Sequence, residues 1–522
     1  MNGTDKTNND KTVFYVSLIV VACVVAWGVM GASSFKNAGD TVFSFLTTKF
    51  AWFYILCMAT FVLFSIWICC SKYGNIVLGK DGEKPAYSTL AWFAMLFSAG
   101  KGIGLLFYSV AEPLSHYAHP TGAVPGSPEA MAFALRKSFL HWGLQPWSGY
   151  CVMALGLAYI QFRKDKPGLI SSVLIPLLGE KLAGGIIGKC VDILAIFATV
   201  AGVATSFGLG TYQISSGLNA VFGLEQTNTL LMLIVFSITA ILLMSIVAGL
   251  DKGMKRISSA NLCMSAAIML FMFFVGPRIA IMNGLVEGVG NYISHYVFDS
   301  LSVGAFSEQE ARWYGDWTIF YWAWWIAWAP FVGTFIARIS RGRTIRQFVL
   351  GVLLAPTLAG ISWFSIFGMS AMGLGLDQAI AATSVDVSRS IYIVLQHFPF
   401  STAISVLVVA LLITFFLSSA DSATFVLGMF SSNGDLNPKT SRKVMWALIQ
   451  AALALALMIA GGKSGLNMLK TASISVAFPF AFILLLSMAS LVKGLREETR
   501  AARKESLAEK HPQKKISDQP VT

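Results

Sequence analysis

The sequence predicts an all-α membrane protein of twelve transmembrane helices, and three observations predict it. Of 522 residues, 56% are hydrophobic and only 12% charged, whereas a soluble domain carries about a quarter charged residues. The apolar residues come in long blocks, such as Val13–Ser33 and Ala51–Cys70. Each is long enough for the about 20 helical residues that cross a hydrocarbon core. The connections between blocks also alternate in charge, which a wrong span count would disrupt.

In chain order the predicted spans are 13–33, 51–71, 88–111, 132–160, 187–217, 228–250, 259–284, 317–338, 345–373, 401–429, 443–461 and 470–492. Lys72, Lys80 and Lys84 follow the second span, and Arg163, Lys164 and Lys166 the fourth. Lys252, Lys255 and Arg256 follow the sixth, Arg338, Arg341, Arg343 and Arg346 the eighth, and Lys439, Arg442 and Lys443 the tenth. The intervening connections carry acids, among them Glu129, Glu225, Asp299, Glu308 and Asp377. Basic connections on one side mark it as cytoplasmic and put both termini there.

Residues 1–12 form a polar segment without a basic n-region or cleavage site, so the first block is expected to be a retained helix. The stretch around Glu287–Val303 is amphipathic and is expected to lie along the outer membrane surface. The charged tail, 493–522, reads as an extended or helical extension with no fold of its own.

The net charge of +12 does not point to nucleic acid, because the Lys and Arg sit in short connections where topology needs them. The seven cysteines lie in or at the ends of apolar segments without metal-ligand spacing, and are expected to be packing residues. With six histidines in the chain and no nucleophile motif, no His/carboxylate cluster is expected and an enzyme is excluded.

Three segments carry chemistry. The third span contains Gly100-Lys101-Gly102-Ile103-Gly104. Glycines weaken a helix by about 1 kcal/mol each, which a bilayer tolerates where the freed backbone lines a cavity or helices pack closely. Lys101 decides between these, since an ionisable group at membrane depth costs roughly 2.5–3.5 kcal/mol and marks a functional site.

The eighth span holds five tryptophans within residues 317–328, more than an interfacial belt explains. Trp324 and Trp328 share a helix face, as do Tyr321 and Trp325, and the fourth span adds Trp142, Trp147 and Tyr150. Any one of these is explained by packing. The set together reads as a cage for a quaternary ammonium, which is held by ring faces because it donates no hydrogen bonds. In the tenth span, Phe415-Phe416-Leu417-Ser418-Ser419-Ala420-Asp421 places neighbouring hydroxyls where oxygen ligands suit a hard cation. Serines bonding their own backbone are the alternative there.

These segments resemble the betaine/choline/carnitine transporter family. Gly100-Lys101-Gly102-Ile103-Gly104 runs on through Ala111-Glu112-Pro113-Leu114, Asp316-Trp317 opens the tryptophan segment, and Ser419-Ala420-Asp421-Ser422 completes the pattern. The resemblance covers 13–492. It implies two leading helices (13–87), a five-helix repeat (88–284), an extracytoplasmic connection (285–316) and a second, inverted repeat (317–492), with broken helices at a central site.

The implied function is import of a trimethylammonium zwitterion such as glycine betaine across a bacterial inner membrane, by a homotrimer among lipids. The resemblance further implies substrate contacts from Trp142, Trp147, Tyr150, Trp325 and Trp328, a gate at Trp324, and backbone from Gly102 and Gly104. Choline-selective relatives tend to carry an acid where this chain has Gly104, which favours a solute with its own carboxylate. Choline, carnitine or another osmolyte in the family, or an ordinary amino acid on the same architecture, are the alternatives, and a passive channel is a third class.

In the sodium-coupled branch the ion binds carbonyls at the positions of Ser98, Lys101 and Phe415 and hydroxyls at Ser418 and Ser419. No other cofactor is implied. Lys101 departs from the family, which usually has an apolar residue there. Unit charges about 5 Å apart at an effective dielectric near 20 repel by roughly 3 kcal/mol. The ammonium therefore turns to the substrate's acid, replaces the ion, or titrates and couples protons; the retained hydroxyl pair favours the first.

Overall fold

The computed structural model describes residues 11–100, 102–249, 251–384, 386–462 and 465–510, with backbone alone for 97–100, 251–255 and 505–510. Among them there is no β-strand, and ten helices are long and apolar enough to cross a membrane.

In order the helices are α1 (Thr12–Met30), α2 (Ala32–Lys49), α3 (Ala51–Cys70), α4 (Thr89–Gly100), α5 (Ile103–Ala118), α6 (Pro128–Trp142) and α7 (Leu144–Ala158). Three short ones follow, α8 (Ile170–Val173), α9 (Ile175–Leu178) and α10 (Glu180–Ala183). Then come α11 (Ile186–Phe222), α12 (Asn228–Ala248), α13 (Asp251–Val275), α14 (Arg278–Leu301), α15 (Glu308–Tyr314) and α16 (Phe320–Ile339). The chain ends through α17 (Ile345–Met372), α18 (Leu376–Thr383), α19 (Ser390–Leu395), α20 (Ser401–Phe430), α21 (Thr440–Gly461) and α22 (Gly465–Lys510).

Two predicted spans are not single helices. The segment 88–111 divides into α4 and α5 at the glycine stretch, as three close glycines suggest. The segment 132–160 divides into α6 and α7 at Gly143, which the sequence reading missed. A Cβ at Gly143 would lie 2.3 Å from the Phe139 carbonyl oxygen and 2.8 Å from the Tyr292 hydroxyl, so the break lies against neighbours that leave no room for a side chain.

Other boundaries move as well. The seventh span runs 251–275, not 259–284, because Pro277 has no N–H to continue the ladder and instead precedes α14. Helix α14 therefore straddles the expected 284/285 boundary. Helix α2 fills a stretch read as a loop; its hydrophobic residues are interleaved with Lys36, Asp40 and Lys49. Helix α22 continues through the expected tail boundary to residue 510. The tenth span, α20, is a single continuous helix. The eighth, the first helix of the second expected repeat, is continuous where a break was expected, since α15 joins α16 through a π turn at Gly315–Ile319.

Packing centres on α16, which lies against α7, α11 and α22 and is buried along nearly its whole length. Of the seven cysteines, Cys57, Cys69 and Cys151 are buried, while Cys23, Cys70, Cys190 and Cys263 are exposed. Packing thus holds for three of them. Helix α14 is pinned to α6 by a buried cluster in which Lys137 donates to Asp299 at 2.9 Å and to the Tyr314 hydroxyl at 3.0 Å. Arg136 reaches the other Asp299 oxygen at 2.9 Å.

Removing one partner of a buried pair strands the other, typically at about 3–5 kcal/mol. Asp299→Asn should accordingly lower the thermal midpoint of the solubilised protein sharply, whereas Glu308→Gln, in an exposed pair with Arg312, should leave it in place. Equal midpoints for the two variants would show that the cluster does not hold α14.

Candidate functional site

The site is built on one face of α16. Residues three and four apart share a helix face, and here Phe320, Trp324 and Trp328 form one row beside Tyr321 and Trp325. Trp324 and Trp325 stack at 4.9 Å and 15°. Trp324 meets Trp328 edge-on at 6.4 Å, and Phe320 stacks on Trp324 at 5.5 Å. From the end of α6, Trp142 stands edge-on to Trp325 at 4.9 Å. From α7, Tyr150 does the same at 6.3 Å, and Trp147 joins through Tyr150 at 5.5 Å.

All six aromatic residues expected from the sequence are thus brought together and buried. Trp147 occupies the outer position, touching the set through one neighbour. The break at Gly143 explains how α6 and α7 both reach α16, because the turn aims Trp142 from one helix end and Trp147 and Tyr150 from the next.

Indole nitrogens are fixed by carbonyls at the helix contacts: Trp325 donates to the His141 carbonyl at 3.0 Å and Trp328 to that of Gly202 at 2.8 Å. By contrast, the Trp324 N–H and the Tyr150 hydroxyl are buried without a protein partner among the described residues. Gly104 faces the rings closely. A Cβ built on it would lie 2.5 Å from the Trp324 ring and 3.3 Å from that of Trp142. An acid at this position has no room while Trp324 stands as it does.

The ion-ligand candidates lie on α20 and beside the glycine break. The Ser418 hydroxyl donates to the Phe415 carbonyl at 3.2 Å and accepts from the Asn261 amide at 3.1 Å. A Cβ at Gly102 would sit 3.4 Å from the Ser419 hydroxyl oxygen, so the start of α5 faces the serine pair. Lys101 lies outside the described residues, and Ser98 is described in its backbone alone, within α4. The described donors are hard oxygens, which fit sodium; Asn261 is a neighbour that the sequence reading did not include.

A His/carboxylate cluster does exist, against expectation. Glu112, His116 and His141, all fully buried, present donor atoms within 4.8 Å of one another. Glu112 accepts from the Trp142 indole at 2.7 Å and the Tyr321 hydroxyl at 2.5 Å on one oxygen. Its other oxygen is 2.7 Å from His141 Nδ1, and His141 Nε2 meets the Thr318 hydroxyl at 2.9 Å. His116 Nε2 lies 3.4 Å from the same Glu112 oxygen, and its ring packs on Trp317 at 4.6 Å. These are hydrogen-bonding distances with the carboxylate's oxygens already engaged, so the cluster is a network that orients Trp142 and Tyr321. The (i, i+4) pair Glu112/His116 was a sequence signal for it; His141, 25 positions further on, was not.

A buried face of aromatic rings thus lies near a helix interrupted at glycines and a pair of serine hydroxyls. The chain belongs to the betaine/carnitine/choline family of transporters, whose profile matches residues 12–500. It is similar to the glycine betaine transporter OpuD of Bacillus subtilis (strain 168), 45% identical over 496 residues that cover 95% of this chain and 96% of that one. An ectoine/hydroxyectoine transporter of Virgibacillus pantothenticus is 42% identical, with 95% and 99% covered. An osmo-dependent choline transporter of Acinetobacter baylyi is 38% identical, with 94% and 72% covered.

The Gly104 contact is directly testable. Gly104→Ala forces a methyl group against Trp324, and overpacking of this kind costs about 1–3 kcal/mol. The expected result is a lower thermal midpoint together with altered tryptophan fluorescence; a variant matching the parent in both would mean the ring yields freely.

Proposed function

We propose that this protein is a secondary carrier that imports a trimethylammonium zwitterion, with glycine betaine as the best candidate, by alternating access. The observation that carries this is the convergence of Trp142, Tyr150, Trp324, Trp325 and Trp328 on one buried face. Ring faces attract an onium group electrostatically, most strongly where it is desolvated. The buried Trp324 N–H and Tyr150 hydroxyl are donors suited to the carboxylate at the other end of the solute. The glycine betaine transporter of Bacillus subtilis, at 45% identity, supports the same substrate. Relatives for ectoine and choline keep other onium and amidinium solutes as the alternative.

In this reading the chain crosses a bacterial inner membrane twelve times, the paired helices α4/α5 and α6/α7 each making one crossing, with both termini cytoplasmic. Residues 88–284 and 317–492 form the two inverted repeats that rock about the site, and three copies assemble among lipids. Sodium is the coupling ion. Its ligands are the carbonyls of Ser98, Lys101 and Phe415 and the hydroxyls of Ser418 and Ser419, and its charge steadies the contact between α5 and α20. Lys101, outside the described residues, is assigned to the substrate's acidic group and not to the place of the ion.

Two measurements in proteoliposomes test these points. Trp325→Leu and Trp328→Leu should each weaken betaine uptake roughly thirtyfold in affinity, the equivalent of about 2 kcal/mol, while Phe at either position retains part of it. Equal uptake by the Leu and Phe variants would dispose of the cage. Second, wild-type uptake should follow an imposed sodium gradient, and Lys101→Met should keep that dependence while weakening substrate affinity. Sodium dependence that emerges only in Lys101→Met would instead establish the lysine as a built-in replacement for the ion.

A further inference from the structure

One cation in the structure meets the aromatic row of α16 at its far end. Lys470, near the start of α22, places its ammonium 4.9 Å from the centroid of the Phe320 ring and 5.5 Å from that of Trp317. It donates to the backbone carbonyl of Asp316 at 3.2 Å. The charge is thus held by two ring faces and a carbonyl, with the negative charge of Asp316 also acting on it.

The rings beneath it are continuous with the cage. Phe320 stacks on Trp324 at 16°, Trp324 stacks on Trp325, and Trp328 follows one turn further on. Tyr108 lies beside this row, 6.1 Å from Trp317 and 6.1 Å from Trp324. Four residues of helix rise about 6 Å, so an onium group held at Trp324 or Trp328 lies on the order of 10 Å from the ammonium. Arg338 lies in the last turn of α16 and Arg341 and Arg343 follow it, so Lys470 stands at the end away from the basic connections.

We propose that Lys470 is a specificity-determining residue at the mouth of this aromatic row, favouring solutes that bring a carboxylate over solutes that carry positive charge alone. The proposal rests on the cage reading and adds to it a source of discrimination outside the cage. An onium group approaching Trp317 and Phe320 competes with the ammonium for the same ring faces. A zwitterion offsets that competition by offering its carboxylate to the displaced ammonium, whereas choline has nothing to offer it. Inside the cage the remaining effect has the same sign. Like unit charges about 10 Å apart at an effective dielectric near 20 repel enough to change affinity roughly tenfold, and a zwitterion's two charges largely cancel this.

The test is competition for radiolabelled betaine uptake in proteoliposomes, with unlabelled choline and unlabelled betaine as competitors. Lys470→Met keeps the length of the side chain and removes its charge. Choline should then inhibit roughly tenfold more tightly, and betaine severalfold less tightly. Lys470→Arg should keep the wild-type ratio of the two. Lys470→Gln carries the same test should the Met variant be unstable, with monodispersity and thermal midpoint checked for each.

A simple packing role for Lys470 would move both inhibition constants together, or lower stability at an unchanged ratio; either result overturns the proposal. If the wild type accumulates betaine but the ratio survives neutralisation, the specificity inference alone is lost. If the wild type binds no onium solute, the cage reading fails and takes this inference with it.

Discussion

A buried carboxylate organises this molecule. Glu112 is wholly removed from solvent and accepts hydrogen bonds from the Trp142 indole and the Tyr321 hydroxyl, with His141 beside its other oxygen. An unpaired charge at such a position would be prohibitively costly, so the groups around it are held as firmly as it is. These contacts join the second half of a broken helix, α5, to the end of α6 and to the start of α16. The aromatic face that defines the site is positioned through them, since Trp142 forms one wall and Tyr321 stacks on Trp325 at 5.9 Å. The energetic constraint on a charge thus becomes a geometric constraint on rings.

The same economy governs the helix breaks. Backbone groups freed inside a bilayer must find partners within the protein or line a cavity, and both breaks lie where other elements crowd them. Gly102 opens α5 opposite Ser419, and Gly143 joins α6 to α7 under the Tyr292 hydroxyl, which receives the Leu144 N–H at 3.3 Å. Helix α20, by contrast, runs unbroken past Phe415, Ser418 and Ser419.

What was legible beforehand divides along physical lines. Apolar length is written directly into sequence, so the long spans were placed to within a few residues at most ends. The cluster of aromatics on α16 was visible because a helix repeats every 3.6 residues and tryptophan is rare. Glycine clustering exposed the break near residue 101, but the single Gly143 did not announce the second, since its tight fit against the Phe139 carbonyl and the distant Tyr292 arises only on folding. Helix α2 escaped because its apolar residues are diluted by Lys36, Asp40, Thr47 and Lys49. The Glu112 network was missed for a related reason: its members at positions 112, 141, 142, 318 and 321 lie on α5, α6, the π turn and α16, and only folding makes them neighbours. The candidate ion ligands came from a hydroxyl pair and from positions implied by the family resemblance, neither of which could reveal Asn261 on α13.

The closeness of Gly104 to Trp324 ties the two positions together. A methyl group at 104 already intrudes on the indole, so any replacement that alters the local charge also displaces a ring that the site uses. The residue at 104 and the position of the Trp324 ring are therefore one variable, set in the packing between α5 and α16.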